Sequence, residues 1–231
     1  MTLKAPVRTI SILASRVHDA QAIVRPGAVM DWIEPDITAP EGFLAAGGAC
    51  GLKTKPGAHD LGILACRVAA TAAGVFTRNK LRSPTVEISS RRVRNGRIRA
   101  VVVNSGNANA CTGKAGLRDA ERMTALVSRR LGLPVEQVLV ASTGVIGQRL
   151  DMPKVNSGIE SVSARLARGK PASDDFVRAI MDSDRARERT LFRREYVDEL
   201  FADPGAHITP LRGSKLWQVT LLEYWLQQQG L

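Results

Sequence analysis

Aromatic side chains are scarce in these 231 residues, at 4%, and cysteine and histidine number only three each. Cys50, Cys66 and Cys111 lie far apart with no C-x-x-C, and His18, His59 and His207 share no ligand spacing with them. This pattern excludes a disulfide framework and speaks against a structural zinc site; the cysteines read as buried or half-buried free thiols. No apolar run approaches the ~20 residues that span a bilayer, so an integral membrane helix is excluded. The opening MTLKAPVRTISILASRVHDA carries a short apolar run broken at Ser15 and Arg16. That is too weak for a secretory signal, and the expected location is the cytoplasm. Also missing are a G-x-x-x-x-G-K-[ST] phosphate loop, a dinucleotide fingerprint and a G-x-S-x-G elbow. No cofactor and no metal is expected.

What is present is an ordinary globular composition, 44% hydrophobic and 24% charged, with 33 basic against 22 acidic residues and a formal charge of +11. One stretch carries most of the excess. Residues 78–99 hold Arg78, Lys80, Arg82, Arg91, Arg92, Arg94, Arg97 and Arg99 against Glu87 alone, or +7. Such a cluster can neutralise phosphates, but no aromatic stands among these arginines to stack bases, and no DNA-binding motif surrounds them. The apolar residues between them, Val86, Ile88, Val93 and Ile98, favour a solvated rim around strands over a nucleic-acid interface. Attraction of anionic small substrates is compatible with that rim.

Residues 1–38 are weakly patterned. A glycine- and alanine-rich block follows, in which the short apolar runs Leu61–Cys66 and Ala72–Phe76 suit strands. Ile98–Val103 is a near-continuous β-branched run, apolar on both faces, as in a strand covered from both sides. Lys114–Leu131 repeats apolar residues at helical spacing and stops at Gly132 and Pro134. A strand at Gln137–Ala141 and helices at Pro153–Leu166 and Asp174–Met181 complete the pattern. Strand alternating with helix predicts an α/β fold, mixed sheets layered with helices.

Beyond about Asp184 the composition shifts: six of the ten aromatics fall in the last forty residues. The segment SKLWQVTLLEYWLQQQ fits an amphipathic helix with Ser214 as a plausible N-cap, so a short helical C-terminal tail is expected.

Two turns can carry chemistry. Asn104-Ser-Gly-Asn-Ala-Asn-Ala-Cys-Thr-Gly113 and Ser142-Thr-Gly-Val-Ile-Gly147 each follow a buried strand, where small residues let backbone approach a ligand. The Thr143 hydroxyl and the Gly144 N–H could both face one developing negative charge, as acyl transfer requires. No Ser–His–Asp set accompanies them.

These residues carry a resemblance. GFLAAGGACGLK, Asp60 with LGIL, AAGVFTRN, AVVVNSGNANACTG, VLVASTGVIGQRLDMPKV and AIM together resemble the ornithine acetyltransferase (glutamate N-acetyltransferase) family of arginine biosynthesis, from about Pro40 to Met181. The resemblance implies an N-terminal-nucleophile enzyme. Its precursor cuts itself before a threonine, which then carries acetyl from N-acetylornithine to glutamate; some members also use acetyl-CoA. By position, Thr143 and Gly144 match the family's oxyanion-hole pair. The family follows A-I-M with Thr-Thr-Asp-Thr, whose first threonine contacts substrate; here Asp182 stands at that position.

The family's Lys-Gly-Ser-Gly-Met segment and its Met-Ala-Thr cleavage site are not found in these residues. The tail, through LFRREYVDELF, ITPLRGSKLWQ and LLEYWLQ, resembles instead the C-terminus of glutamine-dependent asparagine synthetases, over roughly Leu191–Leu231. The resulting expectation is an extension at 1–38, an acetyltransferase-like α-chain portion at 39–184 and a synthetase-like tail at 185–231. The α-chain portion would be truncated and incomplete, with bare sheet edges and apolar faces awaiting a complementing β-chain. The competing expectation is a non-catalytic chimera that serves as a docking or structural piece.

Overall fold

Four strands build one mixed sheet, ordered as they occur in the chain: β1 (Phe43–Gly48), β2 (Leu61–Thr71), β3 (Arg97–Asn104) and β4 (Val138–Ser142). The first three are antiparallel neighbours, and β4 lies parallel to β3. The computed structural model describes residues 36–181 and, beyond them, the helical positions Tyr196, Glu199 and Ala202. The expected extension, Asp182 and the C-terminal tail helix lie essentially outside the described residues.

Alternation along the strands makes two cores. Leu61, Ile63 and Ala65 of β2, Ala100 and Val102 of β3, and Val138 and Val140 of β4 face one side. There they pack with Ile88, Met123, Val127, Val155, Ile159 and Val162. These come from α1 (Pro84–Arg92), α2 (Gly113–Leu131) and α3 (Met152–Ser163). The other face carries Ala45, Val103 and Ala141, covered by Phe176 and Ile180 of α4 (Lys170–Met181). The both-sided apolarity of β3 is thus explained: its odd and even residues serve different cores.

The glycine-rich block answers to α4. A Cβ on Gly47 would lie 2.0 Å from the Asp175 carbonyl oxygen, and one on Gly62 would lie 2.9 Å from the Phe176 ring. Small residues at these two positions let the helix rest on the sheet backbone itself. Helix ends follow their local chemistry. Ser83 accepts a hydrogen bond from the Val86 N–H at 3.4 Å, with Pro84 opening α1. Gly132, at φ 63°, ends α2, where the Leu133 N–H returns to the Ser128 carbonyl at 2.9 Å.

Three expectations need correction. Ala72–Phe76 is not a strand: β2 runs on to Thr71 through a register shift between Ala65 and Ala70, and irregular chain follows. The arginine-flanked residues Val86 and Ile88 lie on helix α1, because Ser83-Pro84 is a helix-start signal that outweighs their β-branching. The sheet edges are not bare. On β4 the Ser89 hydroxyl donates to the Val140 carbonyl at 2.7 Å and accepts from its N–H at 3.0 Å. Arg92 donates to the Val138 carbonyl at 2.6 Å. On β1, Ala45 exchanges backbone hydrogen bonds with Ala167 at 2.9 and 3.1 Å. Among the described residues, side chains thus occupy Val138 and Val140 on the β4 edge, and a single bridge occupies Ala45 on the β1 edge.

The basic stretch is for the most part a solvated rim, with Arg78, Lys80, Arg82, Arg91, Arg94 and Arg97 exposed. Arg92 departs from it. Burial, and then the neighbouring charge of Arg91, lower its pKa from the usual guanidinium value while its fork fastens α1 to β4. Apolar exposure concentrates at Val68, Val75 and Leu81, the last two on the irregular segment after β2.

Candidate active site

Asn104 and Ser142 are register partners at the carboxyl ends of the parallel strands β3 and β4. The Ser142 hydroxyl donates to Asn104 Oδ1 at 2.6 Å, and Asn104 Nδ2 donates to the Asn107 carbonyl at 3.0 Å. The Asn104 backbone carbonyl accepts the Thr143 N–H at 3.0 Å. One buried asparagine therefore holds the first turn against the start of the second.

Pairing continues past the strands. The Val145 N–H reaches the Gly106 carbonyl, the Ala108 N–H reaches the Val145 carbonyl and the Gly147 N–H reaches the Ala110 carbonyl, each at 2.9 Å. The two glycine-rich turns thus form a small parallel extension of the sheet, with Asn107 bridged to Val145. Gly144 sits within it at φ 125°, a conformation closed to L side chains. Two non-glycine residues of the first turn, Asn109 at φ 48° and Cys111 at φ 57°, are left-handed. Asn109 is fixed there by donating to the Gly116 carbonyl at 2.9 Å and accepting from the Thr112 hydroxyl at 2.8 Å.

Thr143 and Gly144, the expected oxyanion-hole pair, lie in different surroundings. Thr143 is fully buried, whereas Gly144 is half-buried and the next two residues, Val145 and Ile146, are about half exposed. The chain therefore passes from interior to surface at Gly144. The N–H groups on either side of it, of Thr143 and Val145, are both spent on the first turn. Among the described residues nothing accepts a hydrogen bond from the Gly144 N–H itself. A backbone donor held this way can stabilise an oxygen that gains negative charge.

Supports converge on these turns from the rest of the domain. Arg149 closes the second turn onto α2 through a fork on the buried Asp119, with contacts of 3.0 to 3.2 Å. The Ser105 hydroxyl donates to the Ala179 carbonyl, so the Ala179-Ile-Met181 segment of α4 abuts the first turn. Asp182 follows that segment directly but lies outside the described residues. Asp60, wholly buried, accepts hydrogen bonds from the N–H groups of Cys50 (2.6 Å), Gly51 (3.0 Å), Leu52 (2.7 Å) and Lys53 (3.2 Å). Lys53 in turn donates its ammonium to the His59 carbonyl.

Asn104, Ser142 and Asp60 were not singled out from the sequence. The first two had a weak signal, a polar residue closing an apolar strand run in each of two strands joined by a helix. Asp60 stands before LGIL among the residues that carry the family resemblance, with no role attached to it there. Of the three thiols, Cys66 is buried and Cys50 partly so, while Cys111 is exposed, because its left-handed turn carries it outward. Burial, and then the charge and hydrogen bond of Asp60, push the Cys50 thiol far above its ordinary pKa. Among the described residues no group of three or more His, Cys, Asp or Glu side chains could hold a metal. No described helix is long and apolar enough to cross a membrane.

Known proteins resemble this chain over about two-thirds of its length. The arginine biosynthesis bifunctional protein ArgJ of Symbiobacterium thermophilum is 44% identical over 156 residues, covering 67% of this chain and 38% of its own length. The ArgJ protein of Bacillus subtilis is 38% identical over 159 residues, with 68% and 37% covered. The chain thus spans about two-fifths of the length of the curated relatives it matches. Among solved structures, ArgJ of Bacillus halodurans superposes with a TM-score of 0.60 at 37% identity, covering 63% of this chain and 75% of that one. The ornithine acetyltransferase of Mycobacterium tuberculosis, solved in complex with ornithine, gives 0.60 at 39% identity, covering 63% and 78%. The mixed sheet packed with helices is the fold of those structures. The ArgJ family signature matches residues 44–201, well over half of the sequence, and this chain belongs to the ArgJ family.

Proposed function

We propose that this chain is the oxyanion-hole portion of an N-acetylornithine:glutamate acetyltransferase of arginine biosynthesis, acting in the cytoplasm. The observation that carries the reading is the Gly144 N–H, fixed at the carboxyl end of β4 with no acceptor among the described residues. Membership of the ArgJ family and the ornithine bound to the M. tuberculosis relative support it.

In this reading a threonine hydroxyl attacks the acetyl carbonyl of N-acetylornithine, and the carbonyl oxygen becomes an anion in the tetrahedral state. The Gly144 N–H donates to that oxygen, and the Thr143 hydroxyl completes the pair. Because Thr143 is fully buried, its hydroxyl serves only an acyl group that enters beside it. Ornithine leaves with its amine, the acetyl remains as an ester on the threonine, and the glutamate amine then takes it. By the family resemblance the attacking threonine is that of the Met-Ala-Thr site, which is not among these residues. Acetyl-CoA is a second donor in some relatives by resemblance and is the alternative to test here. Asp182, at the family's substrate-contacting threonine, adds a negative charge where an amino-acid carboxylate would come, so glutamate binding should be weaker than with threonine there.

The test is co-expression of the full chain with the remaining C-terminal portion of the Symbiobacterium relative. The co-purified pair should form N-acetylglutamate from N-acetylornithine and glutamate, and this chain alone should not. A co-purified, folded pair that forms none overturns the proposal.

A second reading has its own observation, the concentration of six aromatics in the last forty residues. It holds that the chain is a non-catalytic chimera whose asparagine-synthetase-like tail, from about Leu191, docks or packs. Removing residues 191–231 discriminates: a docking tail is lost from partner capture while any acetyl transfer by the pair persists.

A further inference from the structure

We propose that Asp60 is a positioning residue for the Thr143–Gly144 turn, acting through the Cys50–Lys53 loop and the Ser105–Gly106 peptide. The inference rests on the reading of Gly144 as the donor to the acyl oxygen. It begins with an unusual concentration of acceptors and donors. One fully buried carboxylate takes four consecutive backbone N–H groups, those of Cys50 to Lys53, and so bends that loop into a cup closed around it. Each bond has a charged acceptor in the interior, the stronger class of hydrogen bond.

The same residue grips the first turn by its backbone. The Asp60 carbonyl accepts the Ser105 N–H at 2.8 Å, and the Asp60 N–H donates to the Gly48 carbonyl at 3.0 Å. The loop and the turn then touch. A Cβ on Gly106 would lie 3.2 to 3.3 Å from Leu52, two of its three nearest atoms being Leu52 backbone, so the loop forms a wall behind the Gly106 peptide. Against that peptide stands Gly144, whose Cβ would lie 2.2 Å from the Gly106 carbonyl oxygen. That oxygen also accepts the Val145 N–H at 2.9 Å. Asp60 thus holds the loop, the loop backs Gly106, and Gly106 sets where the Gly144 backbone stands. The route from Asp60 through the Cys50–Lys53 loop to Gly106 runs by hydrogen bonds and packing, and its first link is made by the carboxylate. An amide in its place can accept through only one atom and presents N–H groups to N–H groups.

The experiment compares amide resonances of the ¹⁵N-labelled full chain with those of Asp60→Asn and Asp151→Asn. Asp151 is the control because it also accepts one backbone N–H, that of Lys154, but at the start of α3. The Gly144, Ser105 and Leu52 amides should shift in Asp60→Asn while Val138 and Val140 hold, and they should stay in place in Asp151→Asn. A Gly144 amide unmoved in folded Asp60→Asn, or moved equally by Asp151→Asn, overturns the proposal. If Asp60→Asn does not fold, hydrogen exchange of the unaltered chain decides. The Leu52, Ser105 and Val145 amides should share one opening, whereas a Val145 amide that exchanges about tenfold faster than Leu52 refutes the coupling. Neither readout involves an acetyl group. Loss of acetyl transfer with these signatures intact would count against the oxyanion reading and leave the positioning role standing.

Discussion

Gly144 lies directly on the peptide of Gly106: a Cβ there would stand 2.2 Å from the carbonyl oxygen, 2.3 Å from the carbonyl carbon and 2.7 Å from Asn107 N. The contact joins the two glycine-rich turns at the point where the buried chain emerges. It also explains why the pair reads Thr-Gly, since no other residue offers both φ 125° and room for the neighbouring backbone.

Replacing Gly144 by alanine should therefore cost on two counts, an L residue at forbidden φ and a clash with backbone that cannot rotate away. A loss of about 3–5 kcal/mol follows from the usual size of each effect. Thermal unfolding checks it; a variant within about 0.5 kcal/mol of the parent would show that the turns are not in contact.

The edge of β4 gives a second expectation. Ser89 satisfies both the N–H and the carbonyl of Val140 from inside the protein. Ser89→Ala leaves a buried N–H and a buried carbonyl without that partner, at a cost of about 1–3 kcal/mol. Chemical denaturation should register this, and the Val140 amide should exchange faster with solvent. Valine or alanine tolerated at position 89 without either change would mean that another group covers the edge.

Cysteine reactivity and pH stability are linked through Cys50. Its folded thiol titrates far above its ordinary value of 9.0, so above about pH 9 the unfolded chain releases a proton that the folded one retains. The folded state then binds more protons, and this contribution to stability is complete below pH 9 and declines as pH rises beyond it. Removing the thiol with Cys50→Ala should flatten that decline. Thiol labelling of the folded chain at pH 8 should mark Cys111 first, because it is exposed, with Cys50 and Cys66 reacting on unfolding. Equal labelling of Cys50 and Cys111 would contradict the burial.

The sheet was legible because its signals were local. The β-branched run before Asn104, the helical spacing from Lys114 and the strand before Ser142 each lie within about two residues of the observed elements. Helix α1 was obscured by its arginines and β-branched residues, although Ser83-Pro84 marked its start. The strand expected at Ala72–Phe76 is absent because β3 begins at Arg97, opposite Thr71, and offers no strand partner beyond it. At the site, the glycine turns could be read because small residues after a buried run have few other uses. Their supports could not. Asp60 binds four N–H groups seven to ten residues before it, and Asn104 meets Ser142 across thirty-eight residues, contacts that no spacing rule encodes.

The proposed role of this chain is to supply the acyl-oxygen donors for acetyl transfer. Its most direct test is kcat for N-acetylglutamate formation by the pair reconstituted with the C-terminal portion of a relative, measured for the parent and for Thr143→Ala. Loss of one oxyanion donor predicts a fall in kcat of about 10²–10³-fold with KM little changed, in a pair that remains assembled. An assembled Thr143→Ala pair that turns over at the parent rate would contradict it.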